Sequence, residues 1–154
     1  MSVFAVSNRL LVLIALPIIM TGAVSCAEKE DNINKVSGVL LQQVDLRKEQ
    51  MASPSEERLI QMKDMGLIMH DLNAQLVFIY VKGAFSLQEE QELGDLGVKV
   101  HPDSWIPPVG SHPYGFYIAE MPVEKLEVLA AKDYIIKLDT AERQSLPQCP
   151  VNNY

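Results

Sequence analysis

Residues 75–81, Gln75-Leu76-Val77-Phe78-Ile79-Tyr80-Val81, are continuously apolar after Gln75 and rich in β-branched and aromatic side chains. A run of this length and composition suits a central strand. Lys82-Gly83-Ala84-Phe85 then turns the chain. Ser86, with Glu89 three residues on, has capping-box spacing for a helix that ends near Leu96, with Gly97 just past its end. Gly94 weakens that helix by about 1 kcal/mol relative to alanine. Val98-Lys99-Val100-His101 reads as a short strand, and a proline-marked loop runs from Pro102 to Pro113. Tyr114–Met121 returns as a strand. Pro122 is expected to open a helix with Val123, Leu126, Leu129 and Ala130 on one face. Tyr134-Ile135-Ile136-Lys137-Leu138 is the last strand.

The order from Gln75 to Leu138 is therefore β-α-β-β-α-β. It predicts an α+β, ferredoxin-like fold: a four-stranded antiparallel sheet, both helices on one face, the first and third strands central. Two further helices precede it. The first is expected from Asn34 to about Gln50, with Val36, Val39, Leu40, Val44 and Leu46 at near-helical spacing. In the second, Ser53 reads as N-cap, Pro54 as the first helical position and Glu56 as the capping-box partner. It would turn Leu59, Ile60, Met62 and Met65 inward and stop at Gly66. These helices could cover the second sheet face or pack against an edge.

Upstream, one cation (Arg9) precedes an apolar stretch, Leu10–Met20, and small residues then lead to a cysteine. Gly22-Ala23-Val24-Ser25-Cys26 resembles the lipobox of bacterial lipoproteins, which implies a lipidated Cys26 and a membrane-anchored, extracytoplasmic protein in a bacterial envelope. A transmembrane anchor is the first alternative, although the run falls short of the roughly 20 residues a span needs and contains Pro17. A plain export signal cleaved near Ser25 is the second. The expected organisation is a signal at 1–25, a tether at 26–33, a helical extension at 34–74, the α+β domain at 75–140 and a polar tail at 141–154.

The formal net charge is −7, and losing residues 1–25, whose one charged residue is Arg9, makes it one unit more negative. Nucleic acid, which requires clustered cations, is an unsuitable partner for such a chain. With Cys26 acylated, Cys149 has no internal disulfide partner; it reads as a free thiol or as one half of an intermolecular bond. Neither a metal nor a cofactor is expected. His101, Asp103 and His112 match no strong metal-ligand spacing, and His70 stands apart. Ser104 or Ser111 with His112 and Asp103 lacks a nucleophile-elbow context. Glu89, Glu90 and Glu92 read as a solvated helix face. The expectation is no enzyme.

The elements Leu76–Val81, the acidic helix ending Leu96-Gly97, Val98–Val100, then Tyr117–Ala130 and Tyr134–Leu138 resemble the N-terminal prodomains of subtilisin-like serine proteases. The likeness spans roughly residues 75–140. It implies a protease-binding domain, with its sheet against the enzyme and its C-terminal tail, Asp139–Gln148, lying substrate-like in the active site. That tail places Arg143 and Leu146 among the expected contacts. Truncation after Leu138 is expected to remove inhibition and spare the fold. No protease domain follows in the sequence, so the expectation is action in trans; Pro147 lacks the amide donor that strand addition would use.

The loop from Trp105 to Tyr117 is the second expected contact surface. Trp105, Ile106, Tyr114, Phe116 and Tyr117 gather there with several prolines, and tryptophan and tyrosine dominate interface energetics. The alternative is that Trp105 and Phe116 plug the core while the prolines shape a long hairpin. The function expected is thus a lipid-anchored protein-binding module, with a small-ligand-binding or structural envelope protein as the other classes.

Overall fold

The computed structural model describes residues 32–142. Cys26, Arg143, Leu146 and Cys149 lie outside the described residues. In chain order come α1 (Gly38–Ala52), α2 (Glu56–Asp64), β1 (Ala74–Val81), α3 (Leu87–Asp95) and β2 (Lys99–Val100), then β3 (Gly115–Pro122), α4 (Leu126–Ala130) and β4 (Ile135–Thr140). Single 3-10 turns occupy Pro102–Ser104 and Val123–Lys125. The fold is α+β. Its four strands lie in the order β2-β3-β1-β4, with every neighbouring pair antiparallel and β1 and β3 inside. Among the described residues no helix is long and apolar enough to cross a membrane.

Strand alternation divides the sheet into two unlike faces. Val77, Ile79 and Val81 of β1 and Tyr117, Ala119 and Met121 of β3 are buried. They form one core with Leu93 of α3, Leu126 and Leu129 of α4, and Leu40 and Val44 of α1. The N-terminal helix thus joins the other two on the same face instead of covering the second one. Ahead of it, Val36 bridges Leu138 in parallel, with Leu138 N–H donating to the Lys35 carbonyl (2.8 Å) and Ser37 N–H to the Leu138 carbonyl (3.0 Å). This segment blunts the β4 edge. It also delays α1, expected from Asn34, until Ser37 caps it by accepting from Leu40 N–H.

Two other sequence expectations shift. Ser53 is the C-cap of α1, its N–H donating to the Glu49 carbonyl, and α2 starts after Ser55, whose hydroxyl accepts from Arg58 N–H. The Gln50 side chain holds this corner by accepting from Ser55 N–H. Of the four apolar side chains expected inward, Met62 is buried whereas Leu59 and Ile60 are exposed. Pro122 ends β3 opposite Ala74, where it costs no ladder hydrogen bond, and as N-cap it also opens the Val123–Lys125 turn that runs into α4, with Val123, Leu126, Leu129 and Ala130 buried as expected. The capping box at Ser86 and Glu89 is present as expected. α2 and α3 end alike, in left-handed Gly66 (φ 74°) and Gly97 (φ 79°). Leu67 N–H then reaches the Met62 carbonyl and Val98 N–H the Leu93 carbonyl, the six-residue closure of a Schellman motif.

The largest fully buried side chain of the described residues is charged. Arg47, fully buried, donates through Nη2 to both oxygens of Glu142 at 2.8 Å. It also donates to the Ile68 carbonyl (3.0 Å), the Asp71 carbonyl (3.1 Å) and Gln75 Oε1 (2.8 Å). Glu142 accepts in turn from Ile68 N–H and Leu76 N–H. Glu142, expected in the polar tail, is therefore buried, and β4 continues past Leu138 to Thr140. Cutting after Leu138 would remove part of the sheet and the partner of Arg47.

Breaking a buried pair by removing one partner leaves an uncompensated charge, at a cost of about 3–5 kcal/mol. Arg47→Met and Glu142→Ala are each expected to lower unfolding free energy by that amount in urea titrations. The double variant Arg47→Met/Glu142→Ala should cost less than the two singles added. Singles within about 1 kcal/mol of the parent would contradict this reading.

Candidate functional site

The second sheet face carries Phe78 and Tyr80 from β1 and Phe116 and Ile118 from β3, each half-buried. The register sets Tyr80 beside Phe116 on one side and Lys137 on the other. Phe116 meets Phe78 edge-on with ring centroids 5.1 Å apart, and Tyr80 lies 5.6 Å from Phe116. Ile106 extends this row across the sheet edge, exchanging two backbone hydrogen bonds with Phe116 (2.9 and 3.0 Å). One cross-strand row thus runs Lys137, Tyr80, Phe116, Ile106.

The loop after Ile106 rises over the end of this row. Gly110 adopts φ 62° within a turn closed by His112 N–H donating to the Val109 carbonyl (3.1 Å). Between loop and sheet lies a groove of about 710 Å³, walled by Tyr80, Phe116, Ile106, Val109, Tyr114 and Ile136. That size is in the range of small-molecule sites. A bulge in β4 builds its floor. Tyr80 pairs with Lys137 but Val81 with Ile135, so Ile136 is an extra residue, and it lines the groove together with Lys137.

Lys137 Nζ is held 2.8 Å from Asp139 Oδ2 and 5.5 Å from the Tyr80 ring centroid. The hydrogen bond to Asp139 raises the lysine above its ordinary value, against the opposing effect of partial burial. Burial opposes ionisation of Asp139, but hydrogen bonds from Lys137, Ser37 and the Thr140 N–H outweigh it and lower the carboxyl below the usual aspartate value. Ser37 thereby links the cap of α1 to the cation in the groove.

Of the loop residues expected to contact a partner, Ile106, Tyr114 and Phe116 line the groove. Trp105 and Tyr117 point the other way. Tyr117 is buried, sandwiched between Phe85 (4.5 Å, 12°) and Trp105 (4.6 Å, 25°), and its hydroxyl accepts from Phe85 N–H. The two alternatives for the loop are therefore divided by strand parity, with Trp105 closing the core and Phe116 standing on the open face. Ser104 is committed to structure: its hydroxyl accepts from Ile118 N–H (2.8 Å) and donates to the His101 carbonyl, patching the ladder where the 3-10 turn interrupts it. Among the described residues no three of His, Cys, Asp or Glu converge as a metal site. The groove's bulge and Lys137 went unnoticed in the sequence; the signal was Ile135 and Leu138, both apolar but three apart, which breaks the two-residue period of a strand.

Comparison with family models, with curated proteins and with solved structures finds no match for this chain.

A Cβ on Gly115 would lie 2.8 Å from Trp105 Cζ3 and overlap the Ile106 carbonyl oxygen. Gly115→Ala is therefore expected to cost about 1–3 kcal/mol through overpacking and to alter the fluorescence of the single tryptophan; an unchanged urea midpoint and spectrum would contradict the packing described. The lowered carboxyl of Asp139 sets a pH dependence. Its contribution is complete above the unfolded value of about 3.9 and is lost as pH falls through the lower folded value. Asp139→Asn should flatten part of the acid limb of the stability curve between about pH 5 and pH 2; an acid limb identical to the parent's would count against it.

Proposed function

We propose that this chain is a protein-binding module, carried outside a bacterial membrane by lipid on Cys26, and that it works without catalysis. In its sharpest form the partner is a secreted subtilisin-like protease, engaged in trans as a prodomain engages its enzyme. The sheet is read as the ferredoxin-like split βαβ, supported by the order β2-β3-β1-β4 with β1 and β3 inside.

The observation that carries the reading is the aromatic face of Phe78, Tyr80, Phe116 and Ile118, half-buried opposite a fully packed core. Contiguous apolar surface on a folded domain marks an interaction site, and aromatic residues are enriched where such surface is buried by a partner. A protease would receive this face together with the tail beyond Glu142, where Arg143 and Leu146 supply the substrate-like contacts. The anchor at Glu142 fixes where that tail departs.

Titration of subtilisin-like proteases with residues 26–154 tests the proposal, following residual activity and integrity of the added chain. Inhibition with slow cleavage in the tail is expected. Truncation after Glu142 should abolish it without moving the thermal midpoint. Phe116→Glu, on the sheet face, should weaken it at least about tenfold, the loss typical of an interface hot spot. A folded, intact chain that inhibits none of the proteases would contradict the protease version.

A further inference from the structure

The groove between the proline-marked loop and the sheet differs from the rest of the molecule in charge. The chain carries 20 acidic and 13 basic residues, yet among the described residues no carboxylate lines this groove. Its one fixed charge is Lys137. The ammonium is oriented by Asp139 at 2.8 Å and by the Tyr80 ring, and a lysine has three N–H donors, so donors remain beyond the one given to Asp139. Most of the remaining wall is apolar, with the backbones of Ile106 and Phe116 held by their paired hydrogen bonds and Ile136 placed by the β4 bulge. His112 and Asn34 add polar groups at the lining.

A half-open apolar groove ending at one cation, oriented by Asp139, is complementary to a molecule with an apolar body and one anionic head. We propose that the groove is a binding site for small amphipathic carboxylates, the aryl or alkyl body lying among Ile106, Val109, Tyr114 and Phe116, the carboxylate at Lys137. This site goes beyond the protein-partner reading and does not depend on it: the isolated chain would bind the ligand whether or not any protease recognises the sheet.

The test uses the full chain in lipid nanodiscs, with empty nanodiscs as blank, and three water-soluble probes of equal body: 4-phenylbutyrate, 4-phenylbutanol and 4-phenylbutylamine. Ligand-observed NMR gives their affinities. The carboxylate is expected to saturate with a Kd of about 1 mM or tighter, in line with the affinity available to a ligand of this size. The alcohol and the amine should bind at least about fivefold more weakly, the order a cation at the end of the groove imposes. Lys137→Gln should bring the carboxylate down to the level of the alcohol. Because Lys137 also supports Asp139, a second variant is needed: Val109→Glu, at a strongly exposed position on the loop, places a carboxylate at the groove without touching the core. It should weaken the carboxylate probe and strengthen the amine, with an unchanged melting curve. No saturation by 4-phenylbutyrate, equal binding of acid and alcohol, or indifference to both substitutions would each overturn the site. So would sedimentation showing a dimer that Val109→Glu dissociates, since the groove would then be covered by a second copy.

Discussion

Arg47 and Glu142 form a buried ion pair between residues 95 positions apart, and the arrangement of the chain around it is conditional on its completion. Two charges taken out of water are expensive, and their mutual attraction repays this only when the remaining donors and acceptors are also satisfied. Here the partners come from four places. Arg47 is on α1, the Ile68 and Asp71 carbonyls lie on the segment after α2, Gln75 and Leu76 N–H are on β1, and Glu142 follows β4. Gln75 extends the knot by donating to Gln43 Oε1 on α1. None of these pieces can leave without stranding a charge, so the N-terminal helices are part of the domain and not an appendage to it.

This constraint positions everything above it. With α1 held against β1 and β4, Leu40 and Val44 complete the core on one side of the sheet, and Val36 occupies the β4 edge. The opposite edge is only two residues long and broken by the Pro102–Ser104 turn. Short or covered edges discourage strand addition. The surface left with contiguous apolar character is the second face, where Phe78, Tyr80 and Phe116 cluster and where the β4 bulge delivers Ile136 and Lys137 to the groove.

The strand and helix order after Gln75 was legible because each element there has one dominant local signal: an apolar run, a capping box at Ser86, or a glycine past a helix end. The buried face of α1 was not. Its stripe is Leu40, Gln43, Val44, Arg47 and Gln50, helical in spacing but with three polar residues of the five, so hydrophobic periodicity registers only part of it. What makes those polar residues suitable for burial is a set of partners far away in sequence, which no local window contains. The start of α2 was misplaced for a related reason: Ser53 and Ser55 are both adequate caps, and the choice is made by Gln50 accepting from Ser55 N–H. The candidate site was half legible. Ile106, Tyr114 and Phe116 belong to it, while Trp105 and Tyr117 serve the core. Alternation along β3 separates Tyr117 from Phe116, but the side on which Trp105 falls is set by the 3-10 turn before it and the bare Gly115 beneath its ring.

Native-state hydrogen exchange at Ile68 and Leu76, whose amides donate to Glu142, tests the locking of extension to sheet most directly. If the ion pair joins them into one cooperative unit, both amides exchange only through global unfolding, with the opening free energy and denaturant dependence of Val77 and Ile79 in the centre of β1. Exchange at Ile68 and Leu76 through a smaller, denaturant-insensitive opening, while Val77 and Ile79 stay protected, would show that the knot opens by itself and would contradict the role given to it.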